Sequence, residues 1–163
     1  MDSSASLTHL PALGAHERDE IGLQLQATLV ELVDLSLVGK QLHWTVVGPL
    51  FRPLHLYLDE LVDSWRELSD SVAERAVAVG VFPDGQASAV TGTAEYRSLA
   101  ATAIADHAVV AELVRRVAEV SERTRARVDR LGELDAASQD VLIEVLRALE
   151  EQAWMLRSQL APG

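Results

Sequence analysis

The chain has 163 residues, 48% of them apolar, which is about one domain with enough apolar surface for a core and excludes gross disorder. It contains no cysteine, which excludes a disulfide scaffold, Cys-ligated zinc, an iron–sulfur cluster and a thiol nucleophile. Acidic residues number 25 against 14 basic ones, giving a net charge of −11, a balance that repels nucleic-acid phosphates and suits metal cations.

In chain order, residues 1–15 read as a flexible N-terminal tail and residues 16–160 as one helical domain. The tail lacks a basic segment followed by an apolar run, so no secretory signal is expected. A first helix is predicted from His16 to Val46, with an apolar row of Ile21, Leu25, Leu29, Leu32, Leu35 and Val38. Gly48–Pro49 ends it, because proline disfavours helix in the residue before it. A second helix is predicted from Leu50 to Val79, with Pro53 in its first turn, where a missing N–H costs little. Gly80 to Thr93 is a looser connection with a turn signal at Pro83–Asp84–Gly85. A third helix is predicted from Glu95 to Leu131. The break at Gly132–Asp135 precedes a fourth helix from Ala136 to Leu160, with Asp135 a natural N-cap.

No strand-like alternation and no internal repeat is visible. No uninterrupted apolar stretch reaches about 18 residues, so neither a membrane-spanning helix nor a membrane partner is expected. A cytoplasmic location follows as the default. Four long helices point to an all-α four-helix bundle. The longest connection, between helices 2 and 3, is long enough to cross the length of the bundle, as in ferritin-like bundles.

The informative feature is a polar row on helix 2: His55, Asp59, Asp63, Arg66, Asp70 and Glu74. Steps of three and four place all six on one face. Such a stripe is also the ordinary pattern of a solvated helix face. Two features favour chemistry. His43, at the end of helix 1, lies across the Gly48–Pro49 turn from His55, so chain reversal can bring the two imidazoles together. The stripe is also rich in imidazole and carboxylate, the donors that suit Fe(II), Mn(II) or Zn(II). Asp59 and Asp70 are nevertheless about 16 Å apart along a straight helix. Either there are two separate half-sites, or a second chain completes the site. Antiparallel pairing of helix 2 with its copy, about a two-fold axis near Ser64–Trp65, would bring His55 and Asp59 to the other chain's Asp70 and Glu74. It would also set Asp63 opposite Arg66.

The segment from Lys40 to Arg75, KQLHWTVVGPLFRPLHLYLDELVDSWRELSDSVAER, resembles the Dps family, the mini-ferritins of starved bacteria. The family pattern of His, His, Asp, Asp and Glu is matched at every position by His43, His55, Asp59, Asp70 and Glu74. Trp44 and the Ala73-Glu74-Arg75 ending also match, and the likeness is closest to the shorter actinobacterial members. The resemblance implies a ferritin-like bundle with a short extra helix in the connection between helices 2 and 3. It implies a hollow dodecamer built from two-fold dimers. Fe(II) would bind between subunits, with His43, His55 and Asp59 from one chain and Asp70 and Glu74 from the other. Oxidation by hydrogen peroxide or dioxygen and storage of ferric mineral would follow, with Zn(II) able to take the same site. Lys40 and Trp44 stand beside these ligands. Lys40 suits pairing with a ligand carboxylate or an ordinary surface ion pair. Trp44 suits interface packing or electron donation.

Asp129, Glu133, Asp135 and Asp140 cluster at the junction of the last two helices, where family members carry acidic iron channels. Helix-end capping explains Asp135 equally well. Duplex DNA binding is expected to be weak or absent. Residues 1–16 and 158–163 contain no Lys or Arg, Lys40 is the only lysine, and the arginines of helix 3 alternate with acids. His9 and His16 could form an auxiliary metal site with Asp19 or Glu20, and His107 receives no role. Competing readings are a nucleoid-associated structural protein of the same fold and a bundle dimer with a purely structural stripe. A bacterioferritin-type di-iron core is excluded, because it needs Glu-x-x-His, which the sequence lacks.

Overall fold

The computed structural model describes residues 10–160. Five helices and two very short strands follow in the order α1 (Ala15–Thr45), β1 (Val46–Val47), α2 (Phe51–Ala78), α3 (Ala87–Thr91), β2 (Ile104–Ala105), α4 (Asp106–Gly132) and α5 (Ala136–Ser158). α1 packs chiefly on α2 and α4 chiefly on α5, and the two hairpins close on each other through α1–α4 and α2–α5. The apolar row anticipated on α1 is buried throughout, as are Leu54, Leu58, Leu61, Val62 and Leu68 of α2. At about 1.5 Å per residue, the long helices make a bundle roughly 40 Å in length.

Close approach of α1 and α2 depends on Gly39. A Cβ there would stand 2.5 Å from Val62 Cγ2 and 2.8 Å from the Trp65 ring. Trp65 is wholly buried, and its indole N–H donates to Gln152 Oε1 at 2.8 Å, tying α2 to α5. Across the α1–α4 seam, buried Glu31 accepts from both Arg123 and Arg127.

Three expectations need correction. The third long helix starts at Asp106, not Glu95, so the connection runs from Val79 to Ala105 and is longer than anticipated. The Ala-rich segment before Asp106 has helix-forming composition, but its backbone is committed elsewhere. The Arg97 carbonyl accepts from Arg116 Nη2 at 2.7 Å, and Ile104–Ala105 pair in parallel with Val46–Val47. Tertiary bonding has overridden local propensity. That same pairing is the second correction, a two-residue strand bridge where none was anticipated. Third, α1 is long and apolar enough to cross a membrane by length and composition, with an 18-residue window of mean hydropathy 1.4. Scattered polar residues break any continuous apolar run, and 61% of the window is buried against the rest of the bundle.

The short helix implied in the connection is present as α3, anchored by buried Val90. The β1–β2 bridge also sets the topology. It places the start of α4 beside the α1–α2 turn, so α2 and α4 run in the same direction and the connection crosses the length of the bundle.

Candidate metal centre

His43 lies in the last turn of α1 and His55 early in α2. The intervening turn passes through Gly48, whose φ of +133° is a conformation few other residues adopt. Chain reversal stacks the two imidazoles with centroids 3.6 Å apart and planes 23° apart. Their Nδ1 atoms make a reciprocal pair of bonds. His43 Nδ1 is 2.9 Å from the His55 carbonyl, and His55 Nδ1 is 2.9 Å from the His43 carbonyl. A carbonyl only accepts, so both Nδ1 atoms carry the proton. Nε2 is thereby the ring nitrogen left for another partner, the arrangement that metal-ligating histidines show.

Asp59 stands one turn beyond His55. Its Oδ1 accepts from Lys40 Nζ at 2.7 Å and lies 3.3 Å from His43 Nδ1. The Lys40 bond holds the Asp59 carboxyl below the usual carboxylate range, against the opposing pull of desolvation and with help from the charges of His43, Lys40 and His55. Two imidazoles and a carboxylate thus gather where α1 ends and α2 begins. Asp70 and Glu74 lie exposed further along α2 and are not brought to them. Among the described residues, no three His, Asp or Glu side chains of one chain stand in a metal-holding arrangement. Asp63 and Arg66, between the two sets, are exposed and 4.0 Å apart.

The flanking residues are placed as follows. The Lys40 ammonium also lies 5.9 Å from the Trp44 ring centroid. Trp44 is 69% exposed and lines a surface groove with Leu37, Gln41, residues 96–99 and Ala101. At the α4–α5 junction, Asp129 and Asp140 are exposed and Glu133 pairs with Arg130 at 3.0 Å. Asp135 caps α5 through the Ser138 N–H at 2.9 Å and accepts from Arg75 at 2.6 Å. Burial alone would raise the Asp135 carboxyl, but these donors hold it below its usual range. His16 is exposed at the start of α1, and His9 lies outside the described residues. Sequence reading missed Asp106, whose buried carboxylate bonds the α1–α2 turn, because 56 residues separate it from its partner Leu50.

The chain matches the ferritin-like domain family over residues 23–162. The DNA protection during starvation protein of Mycolicibacterium smegmatis is 33% identical over 153 residues, covering 93% of this chain and 82% of the relative. The chain belongs to the Dps proteins of the ferritin-like family. A solved Dps structure from Mycobacterium smegmatis superposes with a TM-score of 0.90 at 32% identity, covering 94% of this chain and 93% of that one. Another relative, 35% identical over 157 residues and covering 94% of this chain and 82% of its own length, is the fine tangled pili major subunit of Haemophilus ducreyi. Relatives of comparable similarity therefore carry different names, and function must be argued from the site.

Proposed function

We propose that this Dps protein is a ferroxidase and iron-storage mini-ferritin, acting in the cytoplasm against oxidative damage. The observation that carries this reading is the reciprocal lock of His43 and His55, which ties both Nδ1 atoms to backbone carbonyls, leaves Nε2 as the ring nitrogen for another partner, and sets the pair beside the Asp59 carboxylate. The donors fit the substrate. Imidazole binds Fe(II) while neutral, and carboxylate oxygens tolerate both Fe(II) and Fe(III). Asp70 and Glu74 of a second copy complete each site when α2 pairs with its copy in a two-fold dimer. Six such dimers form the hollow dodecamer in which ferric mineral is stored. Asp129 and Asp140, with Glu133 and Asp135, form the acidic route for incoming cations at the α4–α5 junction.

The chemistry balances simply. Two Fe(II) ions give up one electron each. Hydrogen peroxide takes both electrons and two protons, its O–O bond breaks, and two waters form. Pairing the electrons at a bound centre avoids a free hydroxyl radical. The protein's part is to hold Fe(II) with His43, His55 and Asp59, to orient both rings through their Nδ1 bonds to backbone carbonyls, and to leave positions open for the oxidant.

The deciding experiment is anaerobic Fe(II) loading followed by one addition of peroxide, with ferric absorbance recorded. Wild type should oxidise rapidly and His43→Ala/His55→Ala should not. Equal slow oxidation in both would overturn the reading.

The names of its relatives favour a second reading, a nucleoid-associated DNA-binding protein. Charge opposes it, since each chain carries −11 and residues 1–16 hold no Lys or Arg. Supercoiled DNA should show no mobility shift at neutral pH and about 0.15 M salt, where screening still leaves close repulsion intact.

A further inference from the structure

The start of α2 has no side-chain cap of its own. Its place is taken by Asp106, which Ala105 and the β1–β2 bridge deliver to the α1–α2 turn. Asp106 Oδ2 accepts from the Leu50 N–H at 2.8 Å, and Oδ1 accepts from the His107 N–H at 2.8 Å. One carboxylate therefore sits at the N-termini of both α2 and α4, where the two helix dipoles favour negative charge. The group is only 11% exposed and lies against the Gly48 backbone. A Cβ at Gly48 would stand 2.5 Å from Asp106 Oδ2, so glycine there admits the carboxylate as well as the positive φ.

The clamped turn is the one that joins His43 to His55. Each imidazole is oriented by the other's backbone carbonyl, so the pair exists only while the end of α1 and the start of α2 keep their spacing. From this geometry we propose that Asp106 is a positioning residue of the metal half-site, acting from the opposite hairpin by holding the His43–His55 turn closed. The inference rests on the metal-centre reading above and adds to it a residue outside the ligand stripe. Bonds that orient ligands from behind typically change metal affinity by about 10-fold to 100-fold when removed.

The test uses the full-length assembled protein, with Co(II) as the spectroscopic probe and deuterium uptake of residues 43–55 as an independent readout. Asp106→Ala should bind Co(II) about tenfold more weakly, with altered d–d bands and faster uptake in this segment. Asp106→Asn keeps one acceptor oxygen and should fall between. Glu17→Ala, which removes the Glu17 bond to the Gly14 N–H at the start of α1, should leave the Co(II) spectrum unchanged. Unchanged uptake in Asp106→Ala would overturn the clamp whether or not metal binds. Faster uptake with wild-type Co(II) affinity would overturn the positioning role. A wild-type protein that takes up no Co(II) would overturn the metal-centre reading, and the positioning role with it.

Discussion

The Glu31 cluster offers the sharpest test of what holds the two hairpins together. Glu31 is 7% exposed and takes bonds from Arg123 and Arg127 across the α1–α4 seam. Arg127, 13% exposed and 2.6 Å from Glu31, has no other carboxylate partner among the described residues. Arg123 is 32% exposed and can turn to water. Glu31→Ala therefore strands one nearly buried guanidinium rather than two. Breaking a buried pair from one side costs about 3–5 kcal/mol, and the freedom of Arg123 places this case near the lower end. For a chain of this size, about 3 kcal/mol lowers the melting temperature by roughly 6–12 °C. The assay is thermal unfolding followed by circular dichroism at one fixed protein concentration, since assembly makes the midpoint concentration-dependent. Two comparisons separate burial from simple charge pairing. Arg125→Ala removes the exposed pair with Glu150 and should cost under about 1 kcal/mol. Glu31→Met/Arg127→Met removes both buried charges and should recover much of the single mutant's loss, because apolar replacement of a whole buried pair is often neutral. A melting temperature for Glu31→Ala within about 2 °C of wild type, or a double mutant less stable than the single, would refute the reasoning.

Gly39→Ala should lower the melting temperature even though alanine is the better helix former by about 1 kcal/mol. The new Cβ meets the Val62 methyl and the Trp65 ring, and overpacking of this kind costs about 1–3 kcal/mol; a rise in melting temperature would contradict the packing account. Lys40→Met should strengthen Co(II) binding severalfold in titration calorimetry, since an ammonium 2.7 Å from Asp59 competes with a dication for the same oxygen; weaker binding would show that Lys40 chiefly orients Asp59. Asp135 gives a pH-dependent prediction. Its folded carboxyl is held below the usual value of 3.8, so its contribution to stability is present above that pH and is lost as the pH falls below it. The melting difference between wild type and Asp135→Asn should be full at pH 6 and shrink toward pH 3. A difference that grows on acidification would mean the opposite linkage.

The long helices were legible because each signal is local. Three-and-four apolar spacing, Gly48–Pro49, and Asp135 ahead of Ala136 set their ends within a residue or two of the observed ones. The start of α4 was not legible, because what keeps 95–105 out of the helix is a bond from Arg116 and pairing with Val46–Val47, neither of which leaves a local trace. The same division applies to the site. The stripe of α2 was visible because one helix carries it, and His43 was visible because the turn is short. The stacking of the rings, the exchange of Nδ1–H bonds and the Lys40–Asp59 pairing depend on a turn geometry that spacing alone does not specify. Asp106 was invisible because it reaches that turn from the far side of the crossover.

The split of the donor set has a consequence for how chemistry and assembly are linked. The two imidazoles and one carboxylate at one end of the α1–α2 hairpin do not by themselves form a metal-holding group among the described residues, and the two remaining carboxylates, about 16 Å along the same helix, cannot bend to them. Under the two-fold pairing proposed here, the surface that completes the site is the surface that joins the subunits. Asp63 and Arg66, exposed midway between the two donor sets, then face their opposites, which favours the antiparallel register over a parallel one that sets like against like. A single helix face would thus specify its own register, gather five ligands from two chains, and withhold a complete centre from any chain that stands alone.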